Sequence, residues 1–340
     1  MIIMSIRRYV AAAMLAGLVL ATAGCNKPGK EAGGAKAVKY PTRTVQIMAP
    51  AGAGGGWDIT ARTMQKALKD ANLVQQPVEV YNVTGAAGTV GLAQLASKHK
   101  GDPHQLMITG LVMVGGIVTN KSAVDLGQTT PIATLTAEPE VIVVPANSKL
   151  TTLKDLVEAF KADPASVKWG GGSAGGTDQI LVGLIAKAAG VDPKKMKYVA
   201  YSGGGETKAG LLSGDLTAAV SGASEFKDLV VSGKVRALAV SGAEGVDVGG
   251  GTPAPTIKQS GYDVELLNWR GIVAPPGISD GERAAIIALV DKLHASEQWK
   301  QALTQQGWTD FYRKGDEAKK FYTDESARIR SVLVEAGVVT

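Results

Sequence analysis

From residue 45 onward the chain alternates short apolar runs with amphipathic stretches. Runs at 45–50, 78–83, 106–109, 141–145, 167–169, 198–201, 216–220 and 235–240 read as buried strands. Between them, 59–71, 90–98, 153–162, 178–189 and 206–213 read as helices, and the C-terminal part, 280–303 and 316–336, is helical too. Strands alternating with helices predict an α/β fold with largely parallel sheet. Two long extended stretches interrupt the pattern. One is 131–145, which contains Glu138-Pro139-Glu140, and the other is 264–275, after the Gly/Pro-rich loop 245–255. Two such crossings predict two lobes joined by two strands, the first built from 40–138 plus 262–340 and the second from 139–261. No internal repeat of fixed period is visible.

Residues 1–24 read as a signal peptide. Arg7 and Arg8 precede an apolar run of about a dozen residues, whereas a membrane-spanning helix needs roughly 20. Small residues, Ala21-Thr22-Ala23-Gly24, then lead to Cys25, the only cysteine. Cys25 has two readings. It resembles the lipid-modified cysteine of a bacterial lipoprotein signal, although Thr22 sits where that signal usually carries Leu. Alternatively the leader is cut after Ala23 and leaves an incidental thiol. Residues 25–39, rich in Gly, Ala and Lys, read as a flexible spacer. Either reading places the protein outside the cytoplasm, in the periplasm or an equivalent compartment.

Composition narrows the function classes. Lys+Arg 36 against Asp+Glu 31 is a mild excess with no basic tract, which argues against nucleic acid as a partner. A single cysteine excludes intramolecular disulfides and Cys-rich metal sites. The outlier is 43 glycines, about twice the usual ~7%. They cluster where strands run into helices: at Gly52, Gly54, Gly55 and Gly56 before Trp57-Asp58, at Gly85 and Gly88, at 170–176 before Thr177-Asp178, and at Ser202-Gly203-Gly204-Gly205. Such turns let successive N–H groups converge, and a following helix adds its unpaired N–H groups and the positive end of its dipole. None of the four loops holds Lys or Arg, so the implied ligand is an anion gripped by N–H and hydroxyl donors. The bland reading is a set of tight turns.

Competing motifs are weaker. Gly170-x-Gly172-x-x-Gly175 fits a dinucleotide fingerprint, but the acidic residue due after the next strand is missing, since 198–201 runs into Tyr201-Ser202-Gly203. Gly171-x-Ser173-x-Gly175 matches a nucleophile elbow and opens a second reading, a secreted serine hydrolase using Ser173. The only later histidine is His294, inside an amphipathic run that reads as a helix surface. His99 and His104 flank a Gly-Asp-Pro turn and read as solvent-exposed, and Glu138 and Glu140 read as a solvated connection. No His/Asp/Glu cluster has metal-ligand spacing, so neither metal nor cofactor is expected.

The string running from Met48-Ala49-Pro50 through Gly54-Gly55-Gly56-Trp57-Asp58 to Ala61-Arg62 strongly resembles the opening of tripartite tricarboxylate transporter solute-binding proteins, the TctC/Bug-type receptors. Further matches follow in order: Asn82-x-x-Gly85-Ala86-x-Gly88-Thr89, Gly172-Ser173-x-Gly175-Gly176-Thr177-Asp178, Tyr201-Ser202-Gly203-Gly204-Gly205-Glu206, and Trp269-Arg270-Gly271 through Gly277. The resemblance implies a two-lobed periplasmic binding protein fold, type II-like, that closes around a small carboxylate without chemistry of its own. It implies a citrate-like tricarboxylate or a dicarboxylate as ligand, a monomer, and the integral-membrane subunits of a tripartite transporter as partners. A sensor-only receptor is the other role. Carried over by motif, the ligand-binding positions are Gly54, Gly55, Gly56, Trp57 and Asp58 on one lobe. On the other they are Gly172, Ser173, Thr177 and Asp178, with Tyr201, Ser202 and Gly203 nearby. Thr109 is a further candidate at a strand end. A carboxylate beside an anion site repels the ligand, so Asp58 is expected to brace its loop. Arg270 either meets a second carboxylate or is a surface residue beside Trp269.

Overall fold

The alternation of apolar runs and helical stretches folds as one curled mixed sheet with helices packed on it, in a computed structural model that describes residues 38–201, 204–335 and 338–339. In chain order the first part comprises β1 (Val45–Ala49), α1 (Gly56–Asp70), β2 (Val78–Asn82), α2 (Thr89–Ser97), β3 (Gln105–Gly110) and α3 (Leu111–Thr119). The long strand β4 (Thr130–Pro145) follows, then α4 (Leu153–Ala162), β5 (Lys168–Gly171), α5 (Thr177–Ala188), β6 (Lys197–Ala200), α6 (Gly204–Leu212), β7 (Ala218–Gly222), α7 (Ala223–Val231) and β8 (Val235–Val240). The chain ends in β9 (Leu267–Ala274), α8 (Asp280–Ala295), α9 (Glu297–Gln306), β10 (Thr309–Lys314) and α10 (Gly315–Glu335).

The strand order is β2-β1-β3-β9-β4-β7-β5-β6, with β8 and β10 also paired to β4. Within each half the strands at the outer edge are parallel: β1 pairs β2 and β3, and β5 pairs β6 and β7. The centre is antiparallel, because the crossing strands run against their neighbours. β9 pairs β3 and the first half of β4, while the second half of β4 pairs β7 and β8. The expectation of mostly parallel sheet therefore holds for the βαβ units and fails at the crossings. β4 is buried along nearly its whole length, with Thr134, Thr136, Glu138 and Glu140 included.

At the point where β4 passes from one half to the other, Ser241 pins the second crossing. Its N–H donates to Glu140 O (2.9 Å), its hydroxyl accepts from Glu140 N–H (2.8 Å), and its carbonyl accepts from Leu266 N–H (3.0 Å). The halves also meet at α3. A Cβ added to Gly115 would stand 1.8 Å from Gly175 O, so only glycine lets this helix lie against the β5–α5 loop. Among the described residues no helix is long and apolar enough to cross a membrane.

Candidate ligand-binding cleft

Strand-to-helix loops from both halves of the sheet face one cleft of about 520 Å³. Gly54 takes φ +78°, which lets the β1–α1 loop turn back on itself before the helix begins. Helix α1 starts behind an extended Gly55, and α5 behind an extended Gly176; neither N-cap position carries a side-chain cap. The first-turn N–H groups of both helices are thus not taken by a cap, and both helix starts line the cleft. Thr177 Oγ1 is fully buried with no partner among the described residues, and Thr177 lines the same space. The loop 84–88 closes a third side, with Trp57 packed against Gly88. This arrangement suits an anion bound by dipoles and hydroxyls.

Each of the two helices carries an aspartate in its first turn that braces its own loop. Asp58 Oδ2 accepts from Gly54 N–H at 2.8 Å, and Asp178 Oδ2 accepts from Gly172 N–H at 2.5 Å. Asp58 also accepts from Arg62 Nε (2.9 Å) and Asn82 Nδ2 (2.9 Å). Burial pushes its carboxyl up, but the hydrogen bonds from Arg62, Gly54 and Asn82 outweigh that, and its pKa lies below the ordinary value. Asp178 has no such cation. Burial, with the charge of Glu138, pushes it up to about 6 despite the Gly172 N–H.

The floor of the cleft holds Arg270, only 3% exposed, in an ion pair with Glu138. Glu138 also accepts from Ser224 Oγ at 2.8 Å, and its carboxylate lies against Gly222, where an added Cβ would meet it at 2.7 Å. The guanidinium packs under the start of α1: a Cβ on Gly56 would stand 2.6 Å from Arg270 Nη2. Two expectations are corrected here. Arg270 is not a surface residue, and Glu138 and Glu140 are buried rather than solvated. Burial, with the charges of Asp178, Glu138 and Glu225, pushes Glu140 well above the carboxylate range. Glu225, on the cleft wall, is pushed up to about 7 by burial and by Glu138 and Asp178.

Of the positions expected at the ligand, Gly55, Gly56 and Trp57 line the cleft from one side. Gly172, Ser173, Thr177 and Asp178 line it from the other, with Arg270 between. Gly54 and Asp58 do not line the cleft: Gly54 borders a neighbouring hollow with Ile59 and Glu225, and Asp58 is buried. Thr109 does not line the cleft, and its hydroxyl donates to Met113 Sδ at 3.3 Å. Tyr201 turns away, its phenol packed over Gly210. Ser202, Gly203, Cys25, the leader and most of the spacer lie outside the described residues. Sequence reasoning missed Ser221, Glu225 and Asn268, which also line the cleft. The signal for the first two was present: β7 ends in Ser221-Gly222 and runs straight into a helix carrying Glu225 in its first turn.

The histidines give no partner for Ser173. His294 Nε2 lies 2.9 Å from Asp310 and its ring stacks on Tyr312 at 3.9 Å, on the α8–β10 surface. His104, expected in solvent, is buried: its Nε2 accepts from Thr42 N–H (3.0 Å) and its ring lies 5.1 Å from Tyr40. Among the described residues no three His, Cys, Asp or Glu are arranged to hold a metal ion.

Comparison with known proteins converges on one group. The family model described as "Tripartite tricarboxylate transporter family receptor" matches residues 60–338. Protein BugT of Bordetella pertussis is 27% identical over 331 residues, covering 94% of this chain and 96% of that protein. MatC of Rhodopseudomonas palustris, solved with bound malate, has the same fold with TM-score 0.75 at 23% identity, covering 86% of this chain and 100% of that one. Rpa4515 of R. palustris, solved with adipate, gives TM-score 0.77 at 21% identity over 88% of this chain and 99% of that one.

Proposed function

Because the chain belongs to the tripartite tricarboxylate transporter receptor family, we propose that it captures a small di- or tricarboxylate in the cleft and delivers it to the membrane subunits of a tripartite transporter. The observation that carries this reading is the convergence of two helix N-termini without side-chain caps, with the unpartnered Thr177 hydroxyl, on one cleft. A carboxylate there meets first-turn N–H groups, two positive dipole ends and hydroxyl donors. The malate and adipate held by MatC and Rpa4515 support the ligand class. The leader and Cys25 support delivery outside the cytoplasm, with the mature protein tethered to a membrane through its N-terminus. In this reading the two sheet halves act as the lobes 40–138 plus 262–340 and 139–261, moving about the crossings beside Ser241.

A thermal-shift and calorimetry screen over mono-, di- and tricarboxylates tests the ligand class, since a ligand at 100 times its Kd adds about 2.7 kcal/mol of stability. Ser173 is read as a hydroxyl donor. Ser173→Ala then weakens carboxylate binding roughly ten- to hundred-fold, the loss of one charge-assisted hydrogen bond. Esterase turnover that vanishes in Ser173→Ala would show instead that Ser173 is a nucleophile.

A further inference from the structure

The cleft holds more acid than an anion receptor needs, and the donors described above account for only one end of a dicarboxylate. Glu225 lines the wall formed by β7 and the starts of α6 and α7, beside Ser221 and Gly204. A Cβ on Gly204 would stand 1.7 Å from Glu225 Oε2 and 3.3 Å from Ser221 Oγ, so glycine at the start of α6 is what leaves room for this carboxyl. Ser221 Oγ and the Glu225 carboxyl thus flank the same glycine on the cleft wall. We infer that Glu225 receives the far carboxylate of the solute by donating its own carboxyl proton, so that binding a dicarboxylate draws a proton from solvent.

The surroundings support this. The charged groups facing Glu225 are Glu138 and Glu140 from β4, Asp178 from α5 and Arg270 from β9. The one cation among these, Arg270, pairs with Glu138 through Nη2, while its Nη1 is buried without a partner among the described residues. Outside, Glu225 also borders a second hollow with Lys208, Lys227 and Asp228, where Lys208 pairs with Asp228 at 3.0 Å. A second ligand carboxylate that comes against Glu225 meets a like charge unless Glu225 holds a proton. With its carboxyl pushed up to about 7, Glu225 holds that proton in about half of the molecules at neutral pH, and ligand binding draws in the rest. The buried, unpartnered Thr177 hydroxyl on the opposite wall fixes where the near carboxylate sits. Glu225 therefore selects for a solute with an acceptor at both ends.

The inference rests on the carboxylate reading above, and calorimetry separates the two. Succinate and butyrate serve as probes at pH 7 and pH 9, where both carboxyl groups of succinate are ionised, in buffers of differing ionisation enthalpy. Succinate affinity is expected to fall more than about tenfold from pH 7 to pH 9, with about one proton taken up per succinate at the higher pH. Butyrate binds weakly and takes up none. Glu225→Gln, which keeps a donor at every pH, binds succinate at pH 9 as the unchanged protein does at pH 7. Succinate binding without proton uptake, or uptake that survives in Glu225→Gln, overturns the role of Glu225 and leaves the carboxylate reading standing. Aspartate binding that tightens as pH rises means that Glu225 faces an ammonium group, which also overturns it. Absence of heat with every carboxylate removes both.

Discussion

The two aspartates at the cleft do one mechanical job in opposite electrostatic settings. Asp58 and Asp178 each sit in the first turn of a helix behind a glycine N-cap, and each accepts an N–H from the loop that precedes the helix. Asp58 is flanked by Arg62 and Asn82, so its charge is compensated and its carboxyl titrates low. Asp178 is flanked by Glu140 and Glu138, and titrates near 6. A loop brace requires an acceptor; it does not require a full negative charge. The first loop is held by a permanent anion, and the second by a group whose charge the neighbouring carboxyls govern.

The largest expected effect comes from deleting the first brace. Asp58→Ala leaves Gly54 N–H, Arg62 and Asn82 without their acceptor and costs about 3 kcal/mol in urea unfolding, with weaker ligand binding. If it costs less than the Asp178→Ala change, the first loop is not the more firmly held. Next, the isosteric changes separate charge from geometry. At pH 7, Asp58→Asn loses its charge-assisted bonds to Arg62 and costs about 1 kcal/mol. Asp178→Asn keeps an acceptor, removes a buried negative charge, and is neutral to stabilising.

The smallest effect, and the sharpest, is on pH. Asp178 holds its proton more tightly folded than unfolded, so its contribution is complete below 3.8 and is lost as pH rises to about 6. Asp58 has a lowered folded value, so its contribution is present above the ordinary carboxylate range and is lost as pH falls through the folded value. Urea midpoints at pH 3 and pH 7 should therefore move in opposite directions relative to the unchanged protein in the two Asn variants. If both move alike, the contrast between the two ends is wrong.

What the sequence made legible was local. Glycine loops between strands and helices announce themselves within ten residues, and the two long extended stretches are visible as β4 and β9. Helix α3 was not visible. Leu111-Val112-Met113-Val114 with Gly115-Gly116 is apolar on every face, so it carries no helical period, and Gly115 serves a contact with Gly175 that lies far along the chain while Gly116 makes room for Ala87. The Arg270–Glu138 pair joins residues 132 positions apart. No local pattern distinguishes a glutamate destined for that pair from one in solvent, which is why Glu138 and Glu140 were read as exposed. His104 failed for the same reason, since its burial depends on Tyr40 and Thr42 folding back over it. Strand β10 and helix α7 are short, and their polar residues masked the apolar face.

The shared strand has a consequence for how the molecule comes apart. β4 gives its first half to β9 and β10 and its second half to β7 and β8, so each half of the sheet is built around a portion of one continuous segment. Neither half has a central strand to itself, and neither can lose β4 without stripping the middle from the other. Cooperativity is built in at the level of the backbone. The two walls of the cleft share a single fate under denaturing stress, and a damaged protein is lost whole rather than persisting with one wall intact.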